Sequence, residues 1–174
     1  FTVFVPQALV NFVLINIWEE GGWQGFLQPR LQERWGPLVS SVMVAVAFAV
    51  FHVPLMFIVG GLSEERISPD RYWFYLAYLF LITPPVRVLA TWFWNSTRGS
   101  VIIVALLHGA WNTTSGEKFT PKLVPGDTLW VWGVYAVLAV VIVVLTRGRL
   151  AYRGKAASRL LPAGRRSEKS ISRL

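Results

Sequence analysis

Five runs of apolar residues, most of them close to the length that crosses a bilayer, constrain this chain more than any other feature. A helix needs roughly 20 residues at 1.5 Å rise each to span the hydrocarbon core. Residues 1–20, 38–59, 72–93, 100–115 and 129–146 supply candidates. Lipid admits only helices and closed barrels, and these runs do not alternate as barrel strands would. The expected fold is therefore all-α: a polytopic transmembrane helical bundle of about five spans. Phe1 already lies inside an apolar run, so the expectation includes one or more spans ahead of it. Gly36-Pro37 opens the second run and Gly60-Gly61 closes it. Two prolines remove two helical donors, so Thr83-Pro84-Pro85 predicts a bend or break in the third. The segment GGWQGFLQPRLQERWG between the first two runs is amphipathic and is expected to lie along the membrane interface.

Composition removes whole classes of alternative. The chain is 54% hydrophobic and 15% charged, too apolar and too weakly charged for a soluble domain of this size. Nine tryptophans suit two interfacial belts. With no cysteine, disulfides, thiolate nucleophiles and cysteine-ligated zinc are all excluded.

Charge divides the chain at residue 146. Residues 1–146 balance, whereas Arg147, Arg149, Arg153, Lys155, Arg159, Arg165, Arg166, Lys169 and Arg173 face Glu168 alone. The reading is a transmembrane core over 1–146 and a basic, disordered tail over 147–174. A basic run directly after an apolar span fits anionic headgroups and the positive-inside rule. The tail is thus expected in the cytoplasm, with membrane lipid as its partner. Nucleic acid is not an expected partner, because Tyr152 is the tail's one stacking residue.

Ionisable groups within apolar runs are expensive and point to function. Glu19 and Glu20 end LVNFVLINIWEE, His52 interrupts VMVAVAFAVFHVPLMFIV, and His108 and Asn112 close VIIVALLHGAWN. His108 and Asn112 stand one helical turn apart on one face, where an imidazole and a carboxamide can donate to a developing oxyanion. Pro54 leaves the carbonyl of Val50 without its usual helical partner, consistent with a cavity beside His52. Glu19 and Glu20 point about 100° apart on a helix, so one can face a reaction centre while the other meets a second partner. A carboxylate in an apolar cavity suits general-base work on water. Two histidines and a carboxylate also make a known zinc set, but the HExxH spacing is absent. No cofactor is expected, with zinc left open.

EEGGWQGFLQPRL, FAVFHVP and NSTRGSVIIVALLHGAWNT, in this order, resemble the three motifs of the CPBP intramembrane endopeptidases (CAAX proteases and bacteriocin-processing, or Abi, proteins). That pattern is EExxxR, then FxxxH, then HxxxN or HxxxD. Glu19 and Glu20 match the first motif, Phe48 and His52 the second, His108 and Asn112 the third. The resemblance covers about residues 11–115 and implies an intramembrane endopeptidase similar to the type II CAAX prenyl endopeptidase. Its substrate would be a peptide or protein, lipidated substrates included. By carry-over, Glu19 and His52 activate the attacking water, while His108 and Asn112 hold the oxyanion. The motif arginine is replaced by Gln24, which can hydrogen-bond Glu20 but cannot neutralise it. Glu20 would then be protonated or borrow Arg30 or Arg98, and arginine restored at position 24 should be tolerated. The departure keeps open a non-catalytic scaffold or immunity protein that binds a peptide or protein partner. A small transporter using Glu and His as a proton relay also fits these residue types.

Overall fold

The computed structural model describes residues 4–58, 67–114 and 128–154. Among these residues every regular element is helical. The chain runs α1 (Phe4–Asn11), a π-helical stretch Phe12–Asn16, α2 (Ile17–Glu20), a second π stretch Gly21–Leu27, and α3 (Gln28–Trp35). Then come α4 (Pro37–His52), a 3-10 turn Val53–Phe57, a short 3-10 turn Pro69–Arg71, α5 (Tyr72–Ser96), α6 (Val101–Thr114) and α7 (Thr128–Thr146). Helix α5 is the centre of the bundle, contacting α4, α6 and α7, while α1 and α2 lie on α6 and α3 lies on α4. Pro37–Phe57 and Pro69–Ser96 are long and apolar enough to cross a membrane, and Val101–Thr113 and Trp130–Thr146 are shorter apolar helices.

Polarity is arranged inside out. Val134, Val137, Val140, Val144 and Leu145 of α7 are exposed, as are Val42, Val46 and Val50 of α4. Asn16, Glu20, Gln24, Gln28, Gln32, Arg87, Thr91 and His108 are buried. Apolar surface on this scale calls for lipid rather than water.

The amphipathic segment after Glu20 does not form a separate interfacial helix. Residues 4–35 are continuously helical, and the polar face turns inward while Phe26 and Trp35 face out. Asn16, Glu20, Gln24, Gln28 and Gln32 recur every four residues and all are buried. In a straight α-helix such a stripe drifts by about 40° per step. A π turn bonds i→i+5 and takes more residues per turn, so the two π stretches rotate the stripe back towards the core. Gln24 Nε2 donates to Thr91 Oγ1 at 3.1 Å, and Gln32 Nε2 donates to Asn95 Oδ1 at 3.1 Å.

Helix α5 is continuous through Pro84 and Pro85, so of the bend or break that the sequence predicted there, the break does not occur. Pro85 cannot donate to Leu81 O, and the Trp132 indole Nε1–H of α7 takes that carbonyl at 3.1 Å. Thr83 Oγ1 adds a bond to Leu79 O at 3.0 Å. The indole thus replaces one of the two donors that the prolines withhold.

The packed core also runs past residue 146. Leu150 is fully buried, clustered with Val88, Leu89 and Ala139. Its carbonyl accepts from Asn95 Nδ2 at 3.0 Å and its N–H donates to Thr146 Oγ1 at 3.2 Å. The start of the basic segment is therefore part of the fold. Residues 155–174, and the connectors at 59–66 and 115–127, lie outside the described residues.

Candidate active site

Three helix ends and one helix centre build the site. Glu19 and Glu20 sit where α2 passes into a π stretch, and Gly25 in that stretch packs close to α6. A Cβ there would stand 3.3 Å from Val101 Cγ2. His52 ends α4, where Val53 N–H turns back to Val50 O. That 3-10 bond occupies the carbonyl that Pro54 cannot serve. His108 lies in the second half of α6, which folds back on α5 through Thr97–Ser100. Gly99 adopts φ 89° and its N–H caps Trp94 O at 2.8 Å, a left-handed closure that glycine permits at little cost. Ser100 Oγ accepts from Ile103 N–H at 3.4 Å to start α6.

Glu19, His52, His108 and Asn112, up to 93 positions apart in the chain, line one cavity of about 390 Å³. Phe48, Tyr78, Thr83 and Arg87 complete much of its wall.

Glu20 is fully buried. Its carboxylate receives Arg87 Nη2 on Oε1 at 2.7 Å and Arg87 Nη1 on Oε2 at 2.9 Å, a bidentate fork of the strong kind. Oε1 also accepts from His108 Nδ1 at 2.7 Å, and Glu19 Oε2 lies 3.8 Å from the same nitrogen. A carboxylate clamped by a guanidinium is an acceptor only, so Nδ1 of His108 carries a proton and Nε2 is left for a substrate. His52 Nδ1 faces Phe48 O at 2.8 Å. A carbonyl only accepts, so Nδ1–H is the donor and Nε2 of the neutral ring offers a lone pair.

Phe48 ties the two halves together. Its ring stacks on His52 at 4.1 Å, meets His108 edge-on at 5.6 Å, and lies beneath the Arg87 guanidinium at 4.2 Å.

The partner of Glu20 is Arg87, and neither Arg30 nor Arg98 takes that role. Arg30 is exposed, donates to Phe26 O at 2.8 Å and covers the Phe26 ring. Arg98 is exposed in the α5–α6 turn. Gln24 is committed to Thr91. Arg87 was legible as the one charged residue between Tyr72 and Ser96. An arginine at membrane depth needs a carboxylate or a polar cavity just as the histidines do. Among the described residues no three histidine, cysteine or carboxylate side chains are grouped for a metal ion. Both Glu20 oxygens are already engaged.

The fold and the site together define a helical membrane protein with a clustered Glu/His/Arg centre in a cavity between its helices. Residues 1–114 match the type II CAAX prenyl endopeptidase Rce1-like family, and the chain belongs to that family. It is 30% identical over 107 residues to CAAX prenyl protease 2 of Methanococcus maripaludis, a match covering 62% of this chain and 38% of that relative. The chain therefore spans well under two thirds of the curated relative it matches. No solved structure matches it.

Proposed function

We propose that this chain forms the catalytic centre of an intramembrane endopeptidase acting on a peptide bond of a lipidated, prenyl-type substrate. The convergence of Glu19, His52, His108 and Asn112 on one cavity carries the reading. Membership of a family described as prenyl endopeptidases supplies the substrate class. The Glu19 carboxylate and His52 Nε2 accept hydrogen bonds from a water molecule, and Glu19 takes its proton as the oxygen attacks the scissile carbonyl carbon. His108 and Asn112 donate to the resulting oxyanion, which collapses as the C–N bond breaks and the proton passes to the leaving amine. A ring that donates through both nitrogens is positively charged, opposite in sign to the oxyanion it would stabilise. In this reading the chain crosses the membrane about five times, with its basic C-terminal segment in the cytoplasm. A reporter fused after Leu174 tests that placement, and activity outside the cytoplasm alone would overturn it.

The test is hydrolysis of a farnesylated peptide by the protein in proteoliposomes. Glu19→Ala and His52→Ala should each lower kcat by about 100-fold or more while the protein stays folded. Asn112→Ala should cost about 3 kcal/mol of transition-state binding. Turnover unchanged in Glu19→Ala sinks the glutamate mechanism. Loss of activity to a chelator, restored by zinc, would replace it with a metal-dependent one. Peptide binding without turnover in any membrane would make the chain a non-catalytic scaffold.

A further inference from the structure

The Glu20–Arg87 pair joins two different helices, and its geometry reaches both halves of the candidate site. Arg87 is almost wholly buried in the middle of α5, and both terminal nitrogens of its fork are spent on Glu20. The same carboxylate oxygen that receives Arg87 Nη2 receives His108 Nδ1. The guanidinium also covers Phe48, whose ring stacks on His52. Arg87 thus meets His108 through one intermediary and His52 through another.

A second rung lies one turn further along the same two helices. Gln24 stands four residues after Glu20 on the buried stripe, and Thr91 stands four residues after Arg87. The two side chains are bonded at 3.1 Å. A side chain at position 24 is therefore a neighbour of Glu20 on its own helix, and an arginine is long enough to reach back to that carboxylate. Both oxygens of that carboxylate already receive Arg87.

We propose that Arg87 is the positioning residue that fixes His108 and His52 for the reaction, and that its charge is exchangeable with one at position 24. This inference rests on the peptidase reading for its kinetic consequences and on the Glu20 contacts alone for its structural ones. Arg87 keeps Glu20 an acceptor, and Glu20 in turn sets which nitrogen of His108 is left for the substrate. A buried guanidinium without its own carboxylate is costly. Gln24→Arg on its own therefore places two guanidiniums against one carboxylate and should lower the thermal midpoint. This reverses the sequence expectation that arginine at 24 is tolerated.

The experiment compares the wild type, Arg87→Gln, Arg87→Lys, Gln24→Arg and the double variant Gln24→Arg/Arg87→Gln in proteoliposomes, reading kcat, KM and the thermal midpoint. Partners that orient a reacting group are worth about 10–100-fold, so Arg87→Gln should lose that much kcat with KM little changed. Arg87→Lys should stay well below the wild type, because an ammonium cannot reproduce the fork. The double variant should regain at least about tenfold of the kcat that Arg87→Gln loses, and part of its midpoint. With two histidines in the chain, ¹⁵N imidazole signals can be assigned by one substitution. The His108 pattern should change in Arg87→Gln and return in the double variant. A double variant no more active and no more stable than Arg87→Gln overturns the inference while leaving the peptidase reading intact. Midpoint and imidazole rescue in a protein whose hydrolysis is indifferent to Glu19→Ala would retain the exchange and remove the peptidase reading.

Discussion

Helix α7 and the helical stretch from Asn16 to Gln32 answer opposite questions about a membrane chain. Helix α7 is apolar all round, with Val137, Val140, Val144 and Leu145 exposed and Ala139 inside. Its hydropathy says where the helix is and almost nothing about which face points inward. The Asn16–Gln32 stretch is too polar along one face to read as a span, yet that face is the buried one. In water the stripe would mark the outside of a helix. Against lipid it marks the inside, because an amide facing hydrocarbon has no partner, whereas inside the bundle Gln24 and Gln32 reach Thr91 and Asn95. Apolarity locates elements here, and polarity orients them.

The largest way to break this contrast is to strip the stripe of its charge. Glu20→Ala leaves Arg87 buried without a counter-charge, at a cost of about 3–5 kcal/mol, read from unfolding in mild detergent. If it instead unfolds like the wild type, the stripe is not what holds α5 against the first helices. A neutral rung should matter less. Gln32→Ala removes the bond to Asn95, itself bonded to Leu150 O, and should cost about 1–2 kcal/mol, the upper part of the spread for interhelical hydrogen bonds in lipid. Trp132→Phe keeps an aromatic ring and deletes the indole donor to Leu81 O, so a loss of about 0.6 kcal/mol is expected. The smallest effect belongs to α7. Leu145→Ala on its exposed face should stay within about 0.5 kcal/mol, and a larger loss would mean that this face is packed against protein rather than lipid.

The same contrast explains what could be read before the fold was known. Hydropathy placed α4, α5 and α7 because long apolar runs have few other solutions in a bilayer. The histidines and glutamates stood out because they interrupt such runs. The run 100–115 and the NSTRGS ahead of it placed α6 along the chain, but not its fold back onto α5. The break expected at Pro84-Pro85 was absent because the compensating indole sits 47 residues away on another helix. No local rule can see that. Arg87 was legible as a charge within an apolar run, but its partner Glu20 lies 67 positions away on another helix, and no spacing links the two. The four-residue recurrence of Asn16, Glu20, Gln24, Gln28 and Gln32 was visible in the letters. An α-helical period of 3.6 turns it into a spiral, and only the π stretches make it a face.

On the proposed function, Glu19, His52, His108 and Asn112 surround one reacting carbonyl. A structure of the Glu19→Gln variant with an uncleaved farnesylated peptide bound in lipid tests it most directly. The account predicts the scissile carbonyl oxygen about 2.7–3.1 Å from donors on His108 and Asn112, with the carbon facing His52 and the substituted side chain at position 19. A peptide whose carbonyl lies outside the cavity, with those four side chains turned away from it, would contradict the account.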